Sequence, residues 1–129
     1  MSVQTVAVPV GARYWISSND RPVWQEKARR TAALVRIGAT AAMAHRLKVE
    51  TPARLIVTVH MPSGRRSDPP NAWPTVKPII DGFVRAGAFE DDSSEEIPEM
   101  VFRKGEKTGV KSNYRLVFEF QSIGETNED

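Results

Sequence analysis

The sequence predicts a single α+β domain, a mixed β-sheet with helices packed on it, in the order β-α-β-α-β-β. Three observations carry this. Residues 54–61 are largely apolar on both sides of a strand alternation, as a central strand requires. Trp24, Ala28, Ala32, Val35, Ala39, Ala42, Met43 and Leu47 recur at helical spacing. Tyr114, Leu116, Phe118 and Phe120 alternate, as on one face of a strand.

In chain order, residues 2–10 are rich in valine and read as a first strand that Pro9 helps to end. Ser17, Ser18, Asn19, Asp20 and Pro22 make the next stretch irregular. A long helix follows from Trp24, with Lys27, Arg29, Arg30 and Arg36 on its outer side and Trp24 in its apolar stripe. After the central strand, Pro62-Ser63-Gly64 turns the chain out into a loop with Arg65, Arg66 and Asp68. Val76, Ile79, Ile80, Phe83 and Val84 define a second helix. Thr75 as its N-cap would make Pro78 harmless and put Lys77 in the first turn, and Gly87 would stop it. Residues 97–103 and 113–120 complete the sheet, joined as a hairpin by the loop 104–112.

With 129 residues the chain fits one domain with one modest core. Its formal charge is +2, but Glu125, Glu128 and Asp129 supply three negatives, so residues 1–124 stand at +5. Basic residues cluster at 27–36, 65–66 and 103–111, which favours a local phosphate-facing surface. The absence of cysteine excludes disulfides and thiolate metal sites and points to a reducing cytoplasm. No apolar run approaches membrane-span length, and the N-terminus lacks a signal-peptide pattern, so no membrane association is expected. The expected division is a domain over 1–124 and a disordered acidic tail over 125–129.

The chemistry concentrates between His60 and Asp92. Arg65 and Arg66 meet the acid Asp68; Asn71 and Lys77 follow, and after the second helix comes Glu90-Asp91-Asp92. Carboxylates brought together beside cations suit a hard divalent ion, and Arg and Lys on the same surface suit a polyanion. Lys77 at a helix start is disfavoured by about 0.3–1 kcal/mol unless an anion compensates, so a phosphate or nearby carboxylates are expected beside it. His60 reads as packed or hydrogen-bonded, His45 as surface, and Glu95, Glu96 and Glu99 as a solvated face. Trp15 and Trp73 lie in loops and are candidates for stacking on exposed bases.

His60-Met61-Pro62, Arg65-Arg66, Asp68, Asn71, Lys77, Asp81, Ala86-Gly87 and Asp91-Asp92 together resemble the RusA family of Holliday-junction resolvases. Ser18-Asn19-Asp20-Arg21 resembles the Asn-Arg segment those proteins carry before their first helix. Asp68-Pro69-Pro70-Asn71 and Trp73-Pro74-Thr75 are similar to the form found in actinobacterial phages and prophages. The likeness spans roughly residues 3–120, its specific part 60–92.

The resemblance implies a homodimer that binds four-way DNA junctions in the host cytoplasm and cuts them by Mg2+-dependent hydrolysis, with Mn2+ an alternative. By position it assigns Asp68 and Asp92 to the metal and Asp68, Lys77 and Asp92 to catalysis, and Asp91, beside Asp92, is the expected further metal ligand. Arg65, Arg66, Asn71, Arg29, Arg30, Lys104 and Lys107 fall to DNA. The chain departs from the family pattern Asp-x-Asp-Asn at Pro70, which stands at the second Asp, and has three more residues between Asn71 and Lys77. A proline side chain cannot ligate a metal. The alternative is therefore a non-catalytic branched-DNA-binding protein that keeps the fold.

Overall fold

The computed structural model describes residues 2–124, so the acidic tail expected over 125–129 lies outside the described residues. Its elements are β1 (Val3–Gly11), α1 (Trp24–Ala44), β2 (Ala53–His60), a 3-10 turn (Pro69–Ala72), α2 (Trp73–Arg85), β3 (Glu99–Lys104) and β4 (Asn113–Ser122). The α+β class and the element order follow the reading of the sequence.

The sheet order is β1-β4-β2-β3, with β2 parallel to β3 and the other neighbours antiparallel. This corrects the expected hairpin. β2 buries Ala53, Leu55, Ile56, Val57 and Val59 and takes a neighbour on each side, so β3 and β4 are separated by it. The connection 105–112 instead wraps the end of β2: Gly105 N–H donates to the Val59 carbonyl at 2.9 Å, and Thr108 N–H to that of Met61 at 2.8 Å. β1 also runs through Pro9, paired opposite Arg115, to Gly11. A proline is tolerated there because β1 is an edge strand.

One face of the sheet carries Val6, Val8, Val10, Leu55, Val57, Val59, Leu116, Phe118 and Phe120, all buried against the helices. Phe83 of α2 meets Phe118 edge-on at 5.0 Å. The expected stripe on α1 is rotated. Its buried residues are Ala33, Leu34, Gly38 and Ala42, whereas Trp24 is 74% exposed rather than core. Glycine sets the phase. A Cβ on Gly38 would stand 2.2 Å from the Ile79 carbonyl oxygen, and one on Gly82 2.2 Å from that of Val35, so the two helix backbones touch at these positions.

α2 begins two residues before the expected Thr75 cap. Thr75 is fully buried, and its hydroxyl accepts from Ile16 N–H and donates to the Ile16 carbonyl, both at 2.8 Å. Lys77 is consequently the fifth helical residue, a turn further from the dipole's positive end than expected, and Pro78 is interior and buried. Gly87, with φ 85°, stops the helix as expected. Its N–H donates to Val84, and that of Ala88 to Phe83, which together satisfy the last carbonyls.

Candidate functional site

Two neighbourhoods carry the residues singled out in the sequence. The first is built on α2. Lys77 and Asp81 are one helical turn apart on the same side, and the chain after Gly87 returns Asp92 to them. Lys77 Nζ donates to Asp81 Oδ1 at 2.6 Å and to Asp92 Oδ2 at 2.7 Å. Asp91 Oδ1 accepts the Asp92 N–H at 2.8 Å and fixes the turn that aims Asp92 inward. Burial opposes charge on both partners of the Lys77–Asp92 pair. The hydrogen bonds outweigh it, so the ammonium is held above the usual lysine range and the Asp92 carboxyl below the usual carboxylate range. The compensation expected for Lys77 is thus a pair of carboxylates.

The second neighbourhood is a cleft of about 620 Å³ between the β1–α1 connection and the loop after β2. Asp68, Asn71, Arg66, Asp20 and Arg30 line it, with Trp15 and Tyr114. Its sides are stitched together: Ser18 N–H donates to the Asn71 carbonyl at 2.9 Å, and Asn71 N–H to that of Asp68 at 2.9 Å. The segment 17–20 is folded on itself, with Ser17 N–H donating to Asp20 Oδ2 at 2.8 Å. Arg21 also folds back, onto the Ser18 and Asp20 carbonyls.

The carboxylates divide between these places. Asp68 lines the cleft, while Asp92 is engaged by Lys77. Among the described residues, no group of three or more His, Asp or Glu side chains stands close enough to hold one ion, so the expected convergence of Asp68, Asp91 and Asp92 on a single point is not present in this geometry. Pro70 lies in the 3-10 turn and contributes no ligand.

Of the basic residues, Arg65, Arg66 and Lys107 are exposed and make no ion pair among the described residues. Lys104 Nζ donates to the Arg65 carbonyl at 3.4 Å. Arg29 and Arg30 are less free than their sequence suggests. Both bind Glu26, at 2.8 and 2.6 Å, and hold its carboxyl down at about 2. Arg30 further donates to the Trp15 carbonyl at 2.9 Å.

His60 is hydrogen-bonded, as expected, through Nδ1 to the Glu106 carbonyl at 2.7 Å, and its ring lies against Gly105. His45 is on the surface. Glu95 is exposed, whereas Glu96 accepts from the Ser93 hydroxyl and Glu99 pairs with Arg54 at 3.2 Å. Trp15 is not a free stacking surface: it is buried and stacked on Tyr114, centroids 4.0 Å apart and planes 8° from parallel. Trp73 is 40% exposed and meets Phe102 edge-on. Sequence reading missed Tyr114 as a cleft residue. The signal was available, since Tyr114 is the first aromatic of the β4 alternation and therefore sits at the strand's mouth.

No family model and no curated protein sequence matches this chain. Among solved structures, it is similar to the crystal structure of thiamine-monophosphate kinase from Stenotrophomonas maltophilia K279a, at 11% identity and a TM-score of 0.29. That match covers 95% of this chain and 31% of the kinase chain, and a likeness of this size carries no argument. No described helix is long and apolar enough to cross a membrane.

Proposed function

We propose that this protein is a Mg2+-dependent, structure-specific endodeoxyribonuclease that resolves four-way DNA junctions as a cytoplasmic homodimer. The observation that supports this most directly is the partly buried ammonium of Lys77 held between Asp81 and Asp92. A lysine fixed this way is a preorganised cation for charge developing on a phosphate. Its order in the chain, after Asp68 and Asn71 and before Asp91-Asp92, is that of the RusA-like pattern.

The residues fit the implied ion in donor chemistry. Asp81 and Asp92 already share one cation between oxygen atoms, and Mg2+ characteristically takes one or two carboxylates and completes its shell with water. Asp92 would hold it, with Asp91 next to it in the chain as the nearest further carboxylate, while Asp68 stands apart in the cleft. When bound, the ion would supply Lewis acidity toward the scissile phosphate. Lys77 keeps its proton across the working range and neutralises charge, while Arg65, Arg66 and Asn71 grip the strand. A C2 dimer presents two such sites to the paired scissile phosphates of a junction.

A second reading is a branched-DNA-binding protein without turnover. Pro70 favours it, as does an Asp92 already satisfied by Lys77. Incubating a synthetic four-way junction with and without Mg2+ separates the two. The nuclease reading expects Mg2+-dependent nicks at symmetric positions, lost in Asp92→Asn and strongly reduced in Lys77→Ala, with junction binding kept in both. Binding by wild type with no cleavage in Mg2+ or Mn2+ would leave the second reading standing.

A further inference from the structure

The cleft beside Asp68 continues into a second hollow of about 740 Å³. Tyr114, Ser17, Asp20 and Arg66 border both, and Arg65 and Lys111 line the outer part. A surface that only tracks a sugar-phosphate backbone has no use for a carboxylate among its cations, because Asp20 repels phosphate. Among the described residues Asp20 makes no ion pair. Its Oδ2 is taken by the Ser17 N–H, and no hydrogen bond from the described residues engages Oδ1.

Tyr114 is a rigid wall. Trp15 covers one face of its ring; Trp15 is held by Arg30 at its carbonyl, and its neighbour Ile16 by Thr75 at both backbone groups. Burial first, and then the charge of Asp20, hold the Tyr114 hydroxyl above the usual tyrosine range, with Arg65 opposing. The phenol is therefore a neutral donor with an acid and a guanidinium near it. Cations, an aromatic ring braced from behind and a carboxylate acceptor lining one continuous cleft match the parts of a nucleotide: phosphate, base face and amino-bearing base edge.

We propose that this cleft receives one unpaired nucleotide of a branched DNA, its phosphate against Arg65, Arg66 and Lys111, its base on Tyr114, and its donor edge toward Asp20. The assignment rests on the DNA reading above and names what the cleft takes from that DNA.

The test compares two duplexes in EDTA, one with a single-nucleotide adenine bulge and one with an abasic bulge at the same place. Wild type should bind the adenine bulge about tenfold more tightly, the range that base–aromatic stacking gives. Tyr114→Leu should erase that preference while still binding both, Tyr114→Phe should keep it, and Lys111→Ala should weaken both duplexes equally. Should Tyr114→Leu fail to fold, the wild-type comparison and the Phe variant still decide. Equal affinity of wild type for the two bulges overturns the nucleotide cleft and leaves the DNA reading intact. Absence of binding to either bulge or to a four-way junction overturns the DNA reading itself. Competition by free deoxyadenosine monophosphate at the DNA's own concentration would assign the cleft to a mononucleotide instead and overturn the proposal as stated.

Discussion

Where α1 crosses α2, Gly38 lies against the Ile79 carbonyl and Gly82 against that of Val35, with no room for a methyl group on either. At the cleft and its outer hollow, Arg65, Arg66, Asp20 and Asp68 are exposed on loops, held by a few backbone hydrogen bonds and free to meet a partner. The crossing tolerates almost no chemical change because its contacts are backbone on backbone. The cleft tolerates many, because its stability comes from the elements behind it. Substitutions at the crossing should therefore act on folding, and those at the cleft rim on binding.

The largest effect expected is at the crossing. Gly82→Ala places a methyl 2.2 Å from a backbone oxygen, which cannot move as a flexible side chain would, so the helices must part. A loss of about 3 kcal/mol follows from overpacking of this kind. Urea unfolding would measure it, and a variant as stable as wild type would mean that the helices do not cross so closely.

Thr75→Val comes next and lies between the two regions. The shapes match, but the Ile16 N–H and carbonyl both lose their partner in a buried place. About 1–3 kcal/mol is expected, the range for buried polar groups left unmade. The Trp15–Tyr114 stack should loosen with it, so the near-UV circular dichroism of the folded variant should change. A loss under 0.5 kcal/mol with an unaltered spectrum would argue against this tie.

These positions also mark what the sequence made legible. β2, the β4 alternation and the Gly87 stop rest on local pattern, and local pattern was enough. The α1 stripe was misphased because its contact residue is Gly38, which carries no hydrophobic signal and is buried only by virtue of Gly82 on another element. The hairpin between β3 and β4 failed for a related reason. Their adjacency in sequence loses to the need of β2 for two neighbours, a demand that only the assembled sheet expresses. At the site, the lysine and the paired Asp stood out as residue types at a spacing. That Asp81 would share the ammonium with Asp92 while Asp68 joined Asp20 depends on where two loops return, which no spacing encodes.

A smaller effect is expected from the Lys77–Asp92 pair. Their side chains are 42% and 21% exposed, so solvent screening limits the pair to about 0.5–1 kcal/mol. The sign follows from the shifts. The Asp92 contribution is present above its unfolded pKa near 3.8 and is lost as pH falls through its depressed folded value. The Lys77 contribution is present below its unfolded pKa near 10.5 and is lost as pH rises through its raised one. The stability difference between wild type and Asp92→Asn should thus be flat through neutral pH and shrink at both extremes. A difference that grew on acidification would reverse the assignment.

The smallest effect on stability, and the sharpest contrast with Gly82, belongs to Arg65→Ala. Arg65 is exposed, makes no ion pair among the described residues, and accepts a hydrogen bond at its carbonyl from Lys104, a contact alanine preserves. Unfolding free energy should stay within about 0.5 kcal/mol of wild type. Junction affinity should fall, and the slope of log K against log salt should flatten by about one, the signature of one fewer phosphate contact releasing its counterion. Titrations of a labelled junction at several salt concentrations would show this directly. An unchanged slope would move Arg65 off the phosphate path, and an unfolded variant would erase the distinction between a crossing that folds the chain and a rim that binds.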